Sequence, residues 1–317
     1  MRIAFLLLAL LIGVHTFAIL KEDNSKNHQE ITRMAILRAT ANVCKSVGGF
    51  KETDILNVKT LAKACKKEEF TKNFETGIQM ISYYNVITDL KHADSAKHHF
   101  DNEEFVDGKA LITNGKQNVI NSIKSNKFDD ARKALGEILH TLQDFYSHSN
   151  WIEMGNTKPC TALINVEENI PNPAGKDTVT CEECSDTKCG AGILKDIIDK
   201  KILTSGYFGR TKPKGKCSHG GTLDFTTGIG KSFDGINKDY SKSSHGGQHN
   251  DAAKVAIDAS VQLLENILKS IPEGGKNFLR LMGLHTEMPK GEWKTHIPFI
   301  SFKTRYSDAK GDLNVDI

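Results

Sequence analysis

The sequence carries almost no net charge, and its only long hydrophobic run lies at the start of the chain. Lysines and arginines number 42 and acidic residues 39, which gives a net charge of +3 over 317 residues. A balance so close to neutral gives no sign of the basic surface that binds nucleic acid. Beyond the first run, no segment approaches the roughly 20 apolar residues needed to cross a membrane. We therefore expect neither a specific nucleic-acid footprint nor a transmembrane segment.

Several common catalytic motifs are also missing. The sequence has no G-x-S-x-G elbow of a serine hydrolase, no phosphate-binding P-loop and no dinucleotide-binding fingerprint. It has no internal repeat and no low-complexity tract. Any chemistry must therefore come from residues outside these motifs.

The chain begins with MRIAFLLLALLIGVHTFA, in which one arginine precedes an apolar run of about a dozen residues. This length is typical of the hydrophobic region of a signal peptide rather than of a membrane span. Thr16 and Ala18 fit the small residues of a cleavage site, so we expect cleavage before Ile19. The sequence thus predicts a secreted, extracellular protein, and residues 1–18 are left out of the fold.

Helical periodicity covers most of residues 28–150. Apolar residues recur at helical spacing in HQEITRMAILRATANVC, DILNVKTLAKACKKEEF, GKALITNGKQNVINSIKS and FDDARKALGEILHTLQDFYSH, and again over 251–271. Residues 155–248 have little periodicity and predict a long Cys-rich loop insertion. We expect a mostly α domain over 19–275, with the 129–150 helix at its centre, flanked by the His28 helix and the 251–271 helix. Residues 276–317 form a mixed tail in which HIPFISFKTRY could be a strand.

All seven cysteines follow the predicted cleavage site, as expected in an oxidising compartment. Cys44 and Cys65 lie in the helical N-terminal part and are a reasonable disulfide pair. The other five lie in the loop region, namely Cys160, Cys181, Cys184, Cys189 and Cys217. Their odd number leaves the connectivity open and allows one free thiol. CEEC, followed by Cys189 and CSH, would also allow a zinc ribbon, but we favour disulfides because oxidised sulfurs cannot serve as thiolate ligands.

His140, Asp144 and His148 recur at four-residue spacing in LGEILHTLQDFYSHSN, residues 135–150. Each such step turns an α-helix by about 400°, so the three side chains share one narrow face. Imidazole and carboxylate groups are zinc ligands, and a carboxylate can bridge two ions. A solvated polar face is the alternative, but such a face more often carries Lys and Glu than aromatic neighbours. The stripe therefore indicates a metal site.

These motifs together resemble the zinc-dependent phospholipase C family. ALGEILHTLQD followed by HSN is similar to its L-G-x-x-x-H-x-x-x-D pattern, HQEITRMAI to its first helix, and HHFD to its H-F-x-D segment. CSHGG, GINKD and LTSGYFG resemble the N-terminal module of the von Willebrand factor A domain-containing protein 7 family, and fungal heterokaryon-incompatibility C proteins are more distantly similar. DASVQ superficially suggests the metal site of an A domain, but it lies in a helical pattern with no preceding strand. We therefore expect the N-terminal module without the A domain.

The resemblance implies a phospholipase C-like helical domain that holds two or three zinc ions. Asp144 would bridge two ions, and His148 would share a third ion with His245. The further family aspartate, assigned here to catalysis, matches Asp89 or Asp94, and we prefer Asp89. The implied metal ligands are His28, His99, His140, Asp144, His148, His245 and His249. Two departures are that no tryptophan lies near the expected mature start and that His249 stands where the family has a glutamate.

Other polar residues have simpler interpretations. His98 and His99 are adjacent and point in different directions, so at most one of them binds a metal. His219, beside Cys217, is interpreted as a residue positioned by the loop region, and the alternative is that it lines a cleft. Asp224 and Asp239 are interpreted as loop-capping residues.

Two classes of function follow. The first is a secreted metal-dependent hydrolase of phosphodiester bonds, acting on a phospholipid or a nucleotide, in which zinc clamps the phosphate. The second is a non-catalytic extracellular module in which metals and disulfides hold the fold, and the loops of residues 155–248 bind a protein partner. Elemental analysis and a phosphodiester assay would separate the two.

Overall fold

A computed structural model describes residues 25–46, 49–182, 191–221, 224–227 and 234–290, and nine α-helices lie within these ranges. They are α1 (His28–Ser46), α2 (Val58–Ala64), α3 (Thr71–Lys91), α4 (Ala96–His99), α5 (Phe105–Lys124), α6 (Phe128–His148), α7 (Lys195–Asp199), α8 (His249–Ser270) and α9 (Gly275–Met282). Over the same ranges, β-structure is limited to isolated bridges such as Ser149–Ser205. The mostly α prediction is confirmed. The predicted signal segment and the possible strand at 296–306 lie outside the described residues.

The first residue of α1 is set by a capping box. Asn27 Oδ1 accepts a hydrogen bond from the Glu30 backbone N–H at 2.9 Å, and Glu30 Oε2 accepts one from the Asn27 N–H at 3.2 Å. This reciprocal pair satisfies two amide donors at the helix start. His28 is therefore the first helical residue of α1, with its side chain completely buried.

Helix α6 lies at the centre of the bundle, as expected, but its neighbours differ from the prediction. It packs against α3, α5 and α8. Helix α1 packs mainly against α8 and α3, and reaches the α6 side chains Gln143 and Asp144 through His28. Helix α8 therefore flanks α6, as predicted for the 251–271 helix. The other predicted neighbour was α1, but α3 packs against α6 more extensively than α1 does.

Helix α6 lies tightly against α3 at Gly136. A Cβ atom at this position would lie only 2.4 Å from Ile81 O and 2.7 Å from Tyr84 Cβ. Glycine lets the two backbones approach because it has no side chain. This approach brings Asn85 of α3 against His140 of α6, where Asn85 Oδ1 lies 3.3 Å from His140 Nδ1.

Two buried lysines join the loop region to the helices. Lys216 Nζ pairs with Glu103 Oε2 at 2.6 Å, and Lys238 Nζ pairs with Glu153 Oε1 at 2.9 Å. Lys238 also donates to Ser149 O at 3.0 Å, just after α6. Because buried charges need partners and further hydrogen bonds, these pairs specify where the loops lie.

Two disulfides lie within the described residues. Cys44–Cys65 joins α1 to the end of α2, which confirms the predicted pair, and Cys181–Cys217 crosses the loop region. Cys160 is buried and is a free thiol in the part of the chain described here, and its backbone N–H donates to Tyr146 Oη. Cys184 and Cys189 lie outside the described residues, so the predicted disulfide-rich character of the whole insertion stays a prediction.

None of the helices in the described ranges has the length and apolar character that a membrane crossing requires.

Candidate metal centre

Five buried side chains converge where α1, α3, α4 and α6 meet. We call them the first cluster: His28, Asp89, His99, His140 and Asp144. The potential ligand atoms of His28, His140 and Asp144 all lie within 4.8 Å of one another, as do those of Asp89, His99 and His140. Each of the five residues is at most 2% exposed. The predicted α6 stripe is therefore an interior feature and not a solvated face.

Asp144 lies at the centre of the first cluster. Its Oδ1 is 3.0 Å from His28 Nε2, and its Oδ2 is 2.9 Å from His99 Nδ1 and 3.1 Å from His140 Nε2. Each carboxylate oxygen thus faces a different set of imidazoles. This division is the arrangement that a bridging carboxylate needs, because each oxygen can serve its own ion.

The outward nitrogen of each imidazole faces a fixed acceptor. His28 Nδ1 lies 2.7 Å from Gln143 Oε1, His99 Nε2 lies 3.0 Å from His92 O, and His140 Nδ1 lies 3.3 Å from Asn85 Oδ1. A carbonyl oxygen can only accept, so these three nitrogens donate their protons outward. In the neutral rings, the lone pairs of the inward nitrogens then converge on Asp144. Metal-binding histidines commonly have this pattern, in which a second partner fixes the tautomer.

The orientation of the Gln143 amide follows from its other partners. Ser260 Oγ donates to Ala256 O at 2.7 Å, so it accepts from Gln143 Nε2 at 3.3 Å. Gln143 Oε1 accepts from Asn85 Nδ2 at 3.1 Å and is thereby turned toward His28. Gln143 therefore fixes the position and the tautomer of a ring on another helix.

The electrostatics of the first cluster favour a cation. Burial alone would raise the pKa of Asp144, but His140, His28 and His148 hold it well below its usual range. Burial would lower the pKa of His99, but its hydrogen bond to Asp144 raises it to about 9. Burial lowers the pKa of His140 to about 3. An ionised carboxylate between imidazoles thus attracts positive charge, and a proton on His99 or a metal ion can supply it.

A second cluster lies beside the first and consists of Asp101, His148, His219 and Asp239. His148 Nε2 is 3.3 Å from Asp239 Oδ1, and His219 Nε2 is 4.0 Å from Asp101 Oδ1. The two imidazoles meet edge to face with ring centroids 4.3 Å apart. All four residues are at most 4% exposed.

One turn of the chain connects the two clusters. His99 ends α4, Phe100 adopts the left-handed conformation with φ 56°, and Asp101 follows. This turn directs His99 to the first cluster and Asp101 to the second. His148 Nδ1 donates to His99 O at 2.8 Å, so the α6 stripe also bridges the clusters.

The structure does not bring His245 and His249 into either cluster. His245 Nδ1 lies 2.6 Å from Glu153 Oε1 and its Nε2 lies 2.8 Å from Ala191 O. His249 Nε2 accepts from Lys26 N and its Nδ1 donates to Lys238 O. His249 has no lone pair left for a metal in this arrangement, because its Nε2 accepts and its Nδ1 donates. His245 is held between two acceptors, the Glu153 carboxylate and Ala191 O. His148 meets Asp101, His219 and Asp239 instead of the predicted partner His245.

The two candidate aspartates occupy different environments in the structure, and so do the two adjacent histidines. Asp89, in the last turn of α3, lies in the first cluster, whereas Asp94 is exposed. His98 stacks on His92 with ring centroids 3.9 Å apart and hydrogen-bonds to Ser95 Oγ, while His99 enters the first cluster. The catalytic assignment of Asp89 and the role of His99 as a ligand stay predictions.

Three residues of the second cluster were not predicted as ligands: Asp101, His219 and Asp239. Asp101 is the last residue of the HHFD motif, two residues after His99, so this motif could have indicated Asp101 as a further ligand. His219 and Asp239 come from separate loops. Their position beside His148 depends on tertiary contacts, which cannot be predicted from the spacing of residues in the sequence.

The fold and the two clusters define a class of protein, namely a helical domain with buried histidine and aspartate clusters that could hold metal ions. Residues 56–279 match the VWA7 N-terminal domain family. The chain belongs to this family, which confirms the resemblance found in the sequence.

Known relatives match over part of their length. The chain is 34% identical over 221 residues to mouse von Willebrand factor A domain-containing protein 7, covering 68% of this chain and 24% of the mouse protein. It is 36% identical over 191 residues to the human protein, covering 59% and 21% respectively. The chain therefore spans about a quarter of the length of the curated relatives it matches. No solved structure matches the chain.

Proposed function

We propose that this chain is a secreted zinc-binding protein whose first cluster hydrolyses phosphodiester bonds in a phospholipid or a nucleotide. The inward-facing imidazole nitrogens around Asp144 carry the proposal. Tetrahedral zinc with ligand distances near 2.0–2.1 Å places neighbouring donor atoms about 3.3 Å apart. The contacts of Asp144 with the three imidazoles, at 2.9–3.1 Å, and the 3.3 Å between His99 Nδ1 and His140 Nε2 fit this spacing.

The number of donors supports hydrolysis rather than a closed structural site. The first cluster offers five side chains, with Asp144 shared, whereas two tetrahedral ions would require about eight coordination positions. Positions that the protein does not fill would be available to water and substrate. Bound zinc supplies Lewis acidity toward a phosphate and lowers the pKa of water.

The positions of the protein groups suggest their roles. Asp144 would hold two ions at a fixed separation, and Gln143 and Asn85 would keep His28 and His140 in the ligating tautomer. We assign Asp89 to the metal rather than to proton transfer, because its carboxylate lies with His99 and His140. A carboxylate that shares an ion is a poor proton acceptor.

Secretion is supported by the hydrophobic start of the sequence and by the two disulfides. Disulfides form and persist in oxidising compartments.

One observation favours the second candidate function, a non-catalytic extracellular module that uses metal to hold its fold. Every residue of the first cluster is almost completely buried. A phosphodiester must reach the ions to be cleaved, whereas a structural ion needs no access. In this alternative the loops of residues 155–248 would bind a protein partner.

The Asp144→Asn variant tests the proposal. We expect the full wild-type chain to hold stoichiometric zinc and to cleave bis(p-nitrophenyl) phosphate. Asp144→Asn should lose at least one zinc equivalent and all measurable activity, because the amide cannot provide two anionic oxygens. Elemental analysis and the hydrolysis rate provide the two readouts. His98→Ala is the matched control, since this adjacent imidazole faces away, and it should keep both.

The outcomes separate the hypotheses. Stoichiometric zinc without hydrolysis of this diester or of a short-chain phosphatidylcholine would support the structural role. A wild-type chain without zinc, together with an Asp144→Asn variant that melts like wild type, would contradict both functions.

A further inference from the structure

We propose that the second cluster is a separate zinc site with four protein ligands, Asp101, His148, His219 and Asp239, and that its ion fastens the loop region to the helices. This inference depends on the geometry of the second cluster alone and holds whether or not the first cluster is catalytic. Neither the sequence pattern nor the family match assigns this set of residues.

Buried polar atoms of this cluster lack hydrogen bonds. Among the described residues, His148 Nε2, His219 Nε2 and Asp101 Oδ1 are inaccessible to solvent and have no hydrogen-bond partner. Such atoms are uncommon in folded proteins and call for an explanation, of which an unobserved ion is one. Three of them in a single cluster indicate a common occupant.

The tautomers again direct lone pairs inward. His148 Nδ1 donates to His99 O at 2.8 Å, and His219 Nδ1 donates to Gly220 O at 2.6 Å. Their Nε2 atoms, in the neutral rings, carry lone pairs that face carboxylates. Two lone pairs opposed to two anions are unfavourable without a cation between them.

The potential donor atoms of the four side chains lie near one another. His148 Nε2 lies 3.3 Å from Asp239 Oδ1, and His219 Nε2 lies 3.9 Å from Asp239 Oδ2 and 4.0 Å from Asp101 Oδ1. The potential ligand atoms of Asp101, His148 and His219 all lie within 4.8 Å of one another, and Asp239 faces the two imidazoles with different oxygens. Donor atoms around tetrahedral zinc are about 3.3 Å apart, so an ion would draw these four side chains closer together. Mixed imidazole and carboxylate donors favour zinc over magnesium or calcium, which prefer oxygen alone.

The neighbouring lysines do not neutralise the two aspartates. Lys216 pairs with Glu103, and Lys238 pairs with Glu153. One divalent cation would balance the two carboxylates of Asp101 and Asp239. Ser147 Oγ donates to Asp239 Oδ1 at 2.5 Å, but this neutral donor does not cancel the charge of the carboxylate, and burying a charge is costly until it is compensated.

The origin of the ligands suggests the role of this ion. His148 ends α6, Asp101 follows α4, and His219 and Asp239 come from two loops of the 155–248 region. Four protein ligands fill a zinc coordination sphere, as in structural sites. Metal binding here would therefore hold these loops in place, since the free energy of binding contributes to folding.

The test compares His219→Ala with His245→Ala in the full chain purified with zinc. We expect His219→Ala to contain one zinc equivalent fewer than wild type, and His245→Ala to contain the wild-type amount. Limited proteolysis should cut within residues 217–239 at least tenfold faster in His219→Ala. An unchanged zinc content in His219→Ala, or the loss of an equivalent in His245→Ala, would overturn the proposal.

Asp239→Asn keeps the proposal testable if the alanine variant does not fold. This substitution preserves shape, and excess zinc should restore its melting temperature to the wild-type value. A lowered melting temperature that excess zinc does not change, with unaltered zinc content, would count against the site. Asp144→Asn should retain the equivalent that His219→Ala loses, so failure of this site is distinguishable from failure of the hydrolase proposal.

Discussion

At the scale of single residues, Asp144 explains why the α6 stripe belongs to the interior. An ionised carboxylate that is completely buried is tolerated only with compensating charge or hydrogen bonds. Three imidazoles within 3.1 Å provide the partners, and each is aligned by a group outside the cluster. The aligning groups should therefore matter almost as much as the ligands.

Gln143 is the residue on which this idea can be tested. We expect Gln143→Leu to weaken zinc binding by about 10–100-fold, because loss of the acceptor leaves the His28 ring free to rotate and to change tautomer. Competition with a chromogenic chelator measures the affinity. Gln117→Leu is the control, since Gln117 contacts only the exposed Asn121 among its described hydrogen-bond partners. Equal affinity of Gln143→Leu and wild type would show that Gln143 does not align a ligand.

The stripe could be predicted from sequence because its geometry is local. His140, Asp144 and His148 are placed together by helical pitch alone. His245 and His249 have the same four-residue spacing, but Gly246–Gln248 between them is a 3-10 helix. Four residues of such a helix turn by about 480°, so the two rings do not share a face. A four-residue spacing therefore places side chains on one face of an α-helix but on different faces of a 3-10 helix.

At the scale of helices, α3 shows why part of the bundle escaped prediction. Its buried residues, which include Phe74, Met80, Tyr83 and Val86, lie on more than one face. A helix enclosed by α6, α1 and α9 has no single apolar stripe, so its periodicity is weak. Asp89 and Asn85 lie on this helix, and their contacts with α6 could not be derived from spacing.

The contact between α3 and α6 should be sensitive at Gly136. We expect Gly136→Ala to lower the free energy of unfolding by about 1–3 kcal/mol, because a Cβ 2.4 Å from Ile81 O forces the helices apart. Alanine's higher helix propensity offsets at most about 1 kcal/mol. Zinc affinity should also fall as Asn85 moves away from His140. Urea denaturation and chelator competition measure the two effects.

Gly247→Ala is the matched control for this substitution. A Cβ at Gly247 would meet nothing within 4 Å. Its free energy of unfolding should stay close to wild type. If Gly136→Ala were equally neutral, the close approach of the two backbones would not be a determinant of the site.

At the scale of the whole molecule, metal should contribute to the stability of the fold. Ligands of the second cluster come from the helices and from the loops, so removal of metal should affect both parts. At a free zinc concentration 100-fold above Kd, a bound ion stabilises the native state by about 2.7 kcal/mol. With an unfolding entropy of about 2.1 cal/mol/K per residue, that corresponds to a change in Tm of roughly 4 °C for a chain of this size.

Differential scanning calorimetry of the full chain with EDTA should therefore show a lower Tm than with EDTA already saturated with zinc. The saturated chelator controls for effects unrelated to metal removal. Lower pH should reduce the difference, because protons compete with the metal for imidazole and carboxylate donors. Identical melting curves under the two conditions would indicate that the clusters do not bind zinc.

Helix α6 carries candidate ligands of both clusters, so an insertion or deletion within it would move some of these ligands relative to the others. From His140 to His148 the helix rises about 12 Å. A single residue inserted between them would rotate all later residues of the helix by about 100° relative to His140. An insertion after Asp144 would then separate His148 from the first cluster's ligands, and one between His140 and Asp144 would divide the first cluster itself. The described residues between His219 and Asp239 (220–221, 224–227 and 234–238) lie outside helices and strands, and added residues in such irregular segments cost little because closure entropy grows slowly with length. Insertions and deletions should therefore be tolerated in the loops and excluded from this stretch of α6.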